Sequence, residues 1–457
     1  MTTPGDRCSY ASPAEVRRMP AEPELRIGLH PPAPALRFFL SGRYDGGGCT
    51  VGPGWCTASA TNETIIVQCP ESEVRASSPV TLVPHRMACS FTIPGMVVGA
   101  GFHWSHREDL TYGGALELLS GARDEITAVN RIGLESYLES VISSEMNPLA
   151  PDPFLEAHAV VARSWVLAQL GPRRRTTESR PDGVDIWEWF DREDHELFDL
   201  CADDHCQRYH GQTRRVAEAV AAVRRTRGLV LCAGEAVVDA RFSKCCGGMT
   251  ERFTSAWGGP TPAGISSVLD AAAVPPEWLT ELSQDADAEA WIHGRPPVYC
   301  GVNDAKILDR ILLPMDRATE DFFRWQEHLS QDRVAHLIEE KTGAGIGDIE
   351  ALVPLLRGAS GRVELLEVRG TKGTLRVGKE LTIRRLLSSS HLKSSSFVVR
   401  PRGATHEVPR AFDLAGAGWG HGVGMCQIGA GAMASSGFGA AAILTHYFPT
   451  ALVAVWY

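Results

Sequence analysis

The chain has 457 residues with 45 Lys and Arg against 55 Asp and Glu, and its net charge of -10 offers no attraction to a polyanion such as nucleic acid. Hydrophobic residues make up 44% and charged residues 22%, the balance of an ordinary globular protein, which excludes a wholly disordered, collagen-like or coiled-coil chain. No run approaches the roughly 18 uninterrupted apolar residues of a membrane-spanning helix, so the chain is not expected to be integral to a membrane.

Residues 1–23 are rich in Pro, Ser, Ala and charge without a sustained period, and read as a flexible arm. The first thirty positions scatter charges and prolines where a secretory signal has a basic end and an apolar stretch, so no export signal is expected there. From 24 to 130 the runs ELRIGL, LRFFLSG, TIIVQC, VTLVP, GALELL and EITAVN are broken by Gly, Pro, Asn and Asp, which predicts a β-rich lobe.

At 131 the period becomes helical. LESYLESVISSEM places Leu134, Tyr137, Leu138, Val141 and Ile142 at three- and four-residue steps, and FLEAHAVVARSWVLAQL (154–170) follows after the breaker NPLAPDP. Two helices joined by a proline-bearing turn predict a hairpin-like helical core. Residues 171–185 read as an exposed loop, 186–211 hold a Cys/His cluster, and 214–228 form an amphipathic helix before the strand-like LVLC and AVVDARFS. The core's first part thus spans 131–275. Residues 276–345 are charged and helical in pattern and read as an inserted helical subdomain. The core's second part, 346–457, alternates like strands with tight turns in RVELLEVRGTKGTLRVG and ends in a Gly-rich loop plus helix. The fold class expected is α+β: a β-rich N-terminal lobe, a helical catalytic core with mixed strands, and an inserted helical subdomain. No repeat of solenoid length occurs.

Three groups of residues carry chemistry. Glu145 ends the first helix beside Val141, Ile142 and Met146, and apolar neighbours favour the neutral carboxyl that a general acid needs. The plain alternative is a surface glutamate at a helix end. In GAGWGHGVGMCQ, glycines at 416, 418, 420, 422 and 424 surround Trp419 and His421, so a ligand can approach the backbone at Gly420 and Gly422 while an indole and an imidazole project. Such a loop suits a sugar, whose ring stacks on indole; the alternative is a turn between strand and helix. The Walker and dinucleotide patterns are missing. In DREDHELFDLCADDHCQRYHG, His195, Cys201, His205 and Cys206 supply the imidazoles and thiolates that zinc takes, though not at finger spacing. Reduced structural cysteines, or a disulfide drawing on Cys245 or Cys246, are the alternatives. Arg163 is a candidate substrate anchor or a helix arginine paired with an acid; Asp109, Glu135 and Glu139 read as solvated helix or turn residues.

LESYLESVISSEM, LEAHAVVARSW, FSKCCGGMTE with nearby Trp257, and GWGHGVGMCQIGAGAMASSGF…ILTHYFP stand in the order of the stage II sporulation protein D / LytB amidase-enhancer family (SpoIID/LytB), which the chain resembles from about residue 99 to 457. The resemblance implies a lytic transglycosylase that cuts peptidoglycan strands between N-acetylmuramic acid and N-acetylglucosamine, with the catalytic glutamate falling on Glu145. It equally implies, for the enhancer members, a non-catalytic activator of an N-acetylmuramoyl-L-alanine amidase. The Gly-Trp-Gly-His loop falls on Gly418 to His421, and the zinc of some relatives on His195, Cys201, His205 and Cys206, as a structural ion not required for the glycan chemistry. Glycan strands and a cell-wall amidase are the implied partners, and the cell envelope the implied location. A cytosolic zinc protein that reuses the fold is a third reading. Asn147 stands where many relatives have proline, and 276–345 looks like an addition; both bear on substrate fit. A second carboxylate, usual in glycoside hydrolysis, is not needed in lytic cleavage, where the sugar's own 6-hydroxyl is the nucleophile.

Overall fold

The computed structural model describes residues 19–29, 32–99, 105–121, 123–171, 180–188, 195–203, 205–273, 275, 278, 281–316, 322–403 and 408–457. Most of the N-terminal arm and of the 171–185 loop lies outside the described residues. The chain forms two compact units whose segments interleave: one comprises Arg18–Leu149, Arg192–Gly228 and Tyr457, the other Ala150–Asp191 and Leu229–Trp456. The architecture is mixed α+β with a β-rich N-terminal part.

The first unit is built on two sheets. One runs in the order Leu200–Cys201, Glu24–Gly28, Ile126–Gly133, Ala115–Ser120, Val80–Pro84, Tyr44–Gly46, Cys49–Val51. The other runs His106–Gly113, Ser90–Val98, Ala35–Leu40, Gly54–Thr61, Thr64–Cys69, Ser72–Ser77. Alternation does the sorting: in ALRFFL, Leu36, Phe38 and Leu40 are buried while Ala35 and Arg37 face solvent. The two sheets meet through inner faces, with Ala115–Ser120 and Ile126–Gly133 against Gly54–Thr61. A disulfide, Cys56–Cys69, ties two neighbouring strands of the second sheet.

Helix α1 (Leu134–Glu145) follows directly from the strand Ile126–Gly133. α1 is buried on nearly every side, which is why its apolar stripe is supplemented by buried Ser140, Ser143 and Ser144. Glu135 and Glu139, expected to be solvated, are buried as well. Glu139 pairs with Arg215 and Arg224, and Glu135 accepts hydrogen bonds from the Tyr457 hydroxyl and, at 3.3 Å, from the Gly228 N–H. Buried carboxylates persist because each is paired or hydrogen-bonded.

The second unit centres on helix α2 (Asp152–Leu170), which packs on the strand Leu229–Ala233 and the helices Gln427–Ser435 and Ala440–Tyr447. Within the first unit, α1 packs on helix α3 (Ala217–Arg225). The strands read from RVELLEVRGTKGTLRVG form as Val363–Gly370 and Gly373–Gly378, a hairpin in which Gly370 faces Gly373. Between 276 and 345 lie helices Asp285–His293, Ala305–Ile311 and Gln331–Thr342, but Arg324–Ser330 is a strand paired along its length with Ala411–Ala417. Its charged residues hid it: only Arg324, Trp325 and Leu329 of RWQEHLS are buried.

Candidate functional site

Glu145 is the last residue of α1, half-buried, with Val141, Ile142 and Met146 fully buried around it. Its Oε1 accepts the backbone N–H of Arg208 at 2.9 Å. That bond is one of three by which a single segment is laid along the helix: His210 N–H donates to Ser140 Oγ at 3.1 Å and Val216 N–H to Ser143 Oγ at 3.2 Å. The serines that weaken the helix's apolar stripe are therefore the acceptors that dock this segment. Tyr209, between the donors, stacks on Tyr137 with ring centroids 5.1 Å apart and donates its hydroxyl to Asn130 Oδ1 at 2.6 Å. Asn130 in turn donates to the carbonyls of Gly113 and Ala115 at 2.8 and 3.1 Å, so the segment is referenced to the sheet. Burial pushes the Tyr137 phenol well up, and the nearby Cys206, Cys201 and Glu145 add to the shift, so it stays protonated. Its hydroxyl is buried and finds no hydrogen-bond partner among the described residues. Tyr137, Arg208 and Tyr209 were missed by sequence reasoning. Tyr137 stands two turns before Glu145 on the same helix, the only signal available; Arg208 contributes a backbone group, which no side-chain pattern reports.

The same segment begins in the Cys/His cluster. The ligand atoms of His195, Cys201, His205 and Cys206 all lie within 4.8 Å of one another. Cys206 Sγ is 3.3 Å from His195 Nε2 and 3.6 Å from His205 Nδ1, and Cys201 Sγ is 3.9 Å from His205 Nδ1. A tetrahedral zinc with bonds of about 2.0–2.3 Å sets its ligand atoms roughly 3.4–3.8 Å apart, so two imidazoles and two thiols at these distances fit the ion. Hydrogen bonding with Cys206, then with His195 and His205, pulls the Cys201 thiol well below its usual range. Leu200–Cys201 pairs in parallel with Glu24–Gly28, which fixes one ligand on a sheet edge. Cys201 and Cys206 are not disulfide-bonded, and Cys245 and Cys246, which the sequence offered as spare partners, belong to the other unit with Cys300 and Cys426.

In that second unit the Gly-rich loop connects the strands Ala411–Ala417 and Met425–Cys426. Gly418, Gly420, Gly422 and Gly424 have φ of 76°, 89°, 77° and 75°, a conformation that disfavours any side chain. Trp419 is half-buried, packs on Phe322 at 4.9 Å between centroids, and exchanges backbone hydrogen bonds with Cys245 at 2.8 and 3.1 Å. His421 lies 4.7 Å from the Trp257 ring, over which the Arg241 guanidinium sits at 4.4 Å. His421 Nδ1 accepts the Val423 N–H at 3.0 Å, and the ring also makes a backbone hydrogen bond with Phe242. Burial, then the charges of Arg241, Arg362 and Arg384, hold its pKa well below the usual value, so the imidazole is neutral. Arg362, fully buried, grips the loop from beneath by donating to the Gly420 and Cys246 carbonyls, each at 3.2 Å. Arg163 is fully buried too: it donates to the Leu229 carbonyl at 3.0 Å and joins α2 to the neighbouring strand. Glu145 and the Cys/His cluster thus share one unit, and Arg163, Trp419, His421, Gly420 and Gly422 the other.

Residues 122–232, which include Glu145 and all four cluster residues, match the family described as Stage II sporulation protein. Residues 251–424, which include Trp419 and His421, match a family described as a domain of unknown function (DUF8618). An uncharacterized protein of Brachyspira hyodysenteriae is 24% identical over 313 residues, covering 68% of this chain and 64% of its own length.

Proposed function

We propose that this chain, a member of the SpoIID/LytB family through its domain at residues 122–232, acts on the cell wall by cleaving peptidoglycan glycan strands as a lytic transglycosylase with Glu145 as its acid/base. The observation that carries this reading is the hydrogen bond from the Arg208 N–H to Glu145 Oε1, which orients a half-buried carboxyl at the end of an otherwise buried helix. The backbone bond fixes the direction in which the carboxyl faces. As the acid, Glu145 gives its proton to the glycosidic oxygen between N-acetylmuramic acid and N-acetylglucosamine. As the carboxylate it then takes the proton from the muramic 6-hydroxyl, whose oxygen closes onto C1 to form the anhydro ring. The sugar supplies the nucleophile, so a single carboxyl completes the cycle.

Trp419 provides a flat face for a sugar ring, while Gly420 and Gly422, expected to admit a strand to the backbone, instead make room for Ser243 and the Arg362 guanidinium and so shape the loop. His421 is a positioning residue that keeps the loop in shape through its two backbone hydrogen bonds. His195, Cys201, His205 and Cys206 are the residues that would hold a zinc ion. When bound, that ion supplies a structural crosslink and no step of the reaction. It would brace the segment from which Arg208 reaches Glu145.

Glu145→Gln should remove anhydro-muropeptide release from purified sacculi, a loss of at least about a hundredfold, while binding to sacculi in a pull-down persists. Undiminished release by the variant rejects the assignment. Release of cut stem peptides only when an amidase is added, equal for both proteins, would instead identify the chain as a non-catalytic amidase activator.

A further inference from the structure

A second cluster of metal-binding groups lies in the second unit, beneath the Gly-rich loop. Cys246 follows the strand Phe242–Ser243, Cys300 sits in the short turn Tyr299–Gly301, and Cys426 ends the strand Met425–Cys426. The parallel pairing of those two strands sets Ser243 opposite Cys426. Three segments far apart in sequence thus bring their thiols to one point, with the carboxyl of Asp270 beside them. All four side chains are buried, and their ligand atoms lie within 4.8 Å of one another. Cys246 Sγ and Cys300 Sγ are 3.6 Å apart, against roughly 3.8 Å for the edge of a tetrahedron built on zinc–sulfur bonds of about 2.3 Å.

Two of the three sulfurs are already engaged by backbone donors, as metal-bound sulfurs are. Backbone N–H groups point at the sulfurs: Cys246 N–H to Cys426 Sγ at 3.2 Å, Gly248 N–H to Cys246 Sγ at 3.4 Å, and Gly429 N–H to Cys426 Sγ at 3.4 Å. Donors of this kind orient and stabilise the sulfur ligands of metal sites. Each Asp270 oxygen accepts one hydrogen bond, Oδ2 from the Cys300 N–H at 2.8 Å and Oδ1 from the Tyr447 hydroxyl, and among the described residues no ion pair reaches it. Three sulfurs and one carboxyl oxygen converging in a buried site form a soft donor set that, on losing its protons to the metal, selects zinc over magnesium or calcium.

We propose that Cys246, Cys300, Cys426 and Asp270 form a second, structural zinc site, separate from the Cys/His cluster. The ion clamps the Cys246–Cys426 crossing against the turn that carries Cys300. Cys245, adjacent in sequence, exchanges its backbone hydrogen bonds with Trp419, so the same clamp sets the base of the Gly-rich loop.

The test uses the full-length chain purified under reducing conditions without chelator. In Cys206→Ser, which breaks the other cluster, elemental analysis should still find one zinc per chain, and in Cys206→Ser with Cys300→Ser none. Because loss of Cys300 risks misfolding, Cys206→Ser is also loaded with cobalt. It should then show the sulfur-to-cobalt charge transfer and the strong visible bands of a tetrahedral thiolate site. A folded Cys206→Ser chain that takes up neither zinc nor cobalt overturns the proposal. So does an intact mass two hydrogens low with Cys246 and Cys300 crosslinked.

Discussion

Tyr209→Phe removes one oxygen from the scaffold behind Glu145. The hydroxyl donates to Asn130 Oδ1 at 2.6 Å, and both residues are buried, so water cannot replace the lost donor. Asn130 keeps its two bonds to the Gly113 and Ala115 carbonyls, which prevents it from turning to satisfy its oxygen elsewhere. The cost is that of a stranded buried acceptor, about 1–3 kcal/mol, or roughly a 5- to 150-fold fall in the folded-to-unfolded ratio. The stacking of the ring on Tyr137 and Tyr112 survives, so no cavity term adds to this. Urea denaturation followed by circular dichroism should show a lower midpoint with an unchanged slope. Release of anhydro-muropeptides should fall as well, because Arg208 adjoins Tyr209 and its N–H orients Glu145. A stability change below about 0.5 kcal/mol would refute the argument that this network fixes the segment.

Other outcomes follow from single positions. Burial, with Lys244 adding, holds the His158 pKa down at about 3 against the ordinary 6.5. The folded chain therefore keeps this imidazole neutral while the unfolded chain protonates, so its contribution is fully present above about pH 6.5 and is lost as the pH falls toward 3. At about pH 4.5 the loss is about 2–3 kcal/mol, and wild type minus His158→Gln in denaturant melts at neutral and acid pH should reveal it. At Gly422, φ is +77° and a Cβ would run into the Arg362 guanidinium; at Gly437, φ is +93° with nothing within 4 Å. Gly422→Ala should accordingly cost at least about 2 kcal/mol and Gly437→Ala about 1, compared by thermal melting. Cys206→Ser should lower the zinc content by one ion per chain and expose the 205–210 segment to limited proteolysis; an unchanged zinc count would contradict the Cys/His assignment.

What the sequence made legible was periodic. α1 and α2 announced themselves by apolar residues at helical steps, and Glu145 by its place at the end of one of them. The hairpin of Val363–Gly370 and Gly373–Gly378 was readable because branched residues alternate up to a Thr-Lys turn. Strands such as Gly54–Thr61 and Ser72–Ser77 were not, because their buried faces rest on Cys56, Ala58, Ala60 and a lone Val74 among Ser, Thr and charge. Arg324–Ser330 was hidden for the same reason. The interleaving of the two units, with crossings at 149–150, 191–192 and 228–229, leaves no trace in composition. Glu135 and Glu139 looked solvated because their arginine and tyrosine partners are distant in sequence. The convergence of Cys246, Cys300 and Cys426 across 180 positions is likewise a property of the folded chain alone.

Lytic cleavage needs one carboxyl that both gives and takes a proton while the sugar attacks itself. Digesting sacculi in heavy-oxygen water reads this directly. Ring closure by the 6-hydroxyl predicts anhydro-muramic ends carrying no heavy oxygen, absent from the Glu145→Gln digest. Reducing ends labelled at C1 would mean that water is the nucleophile and would contradict it.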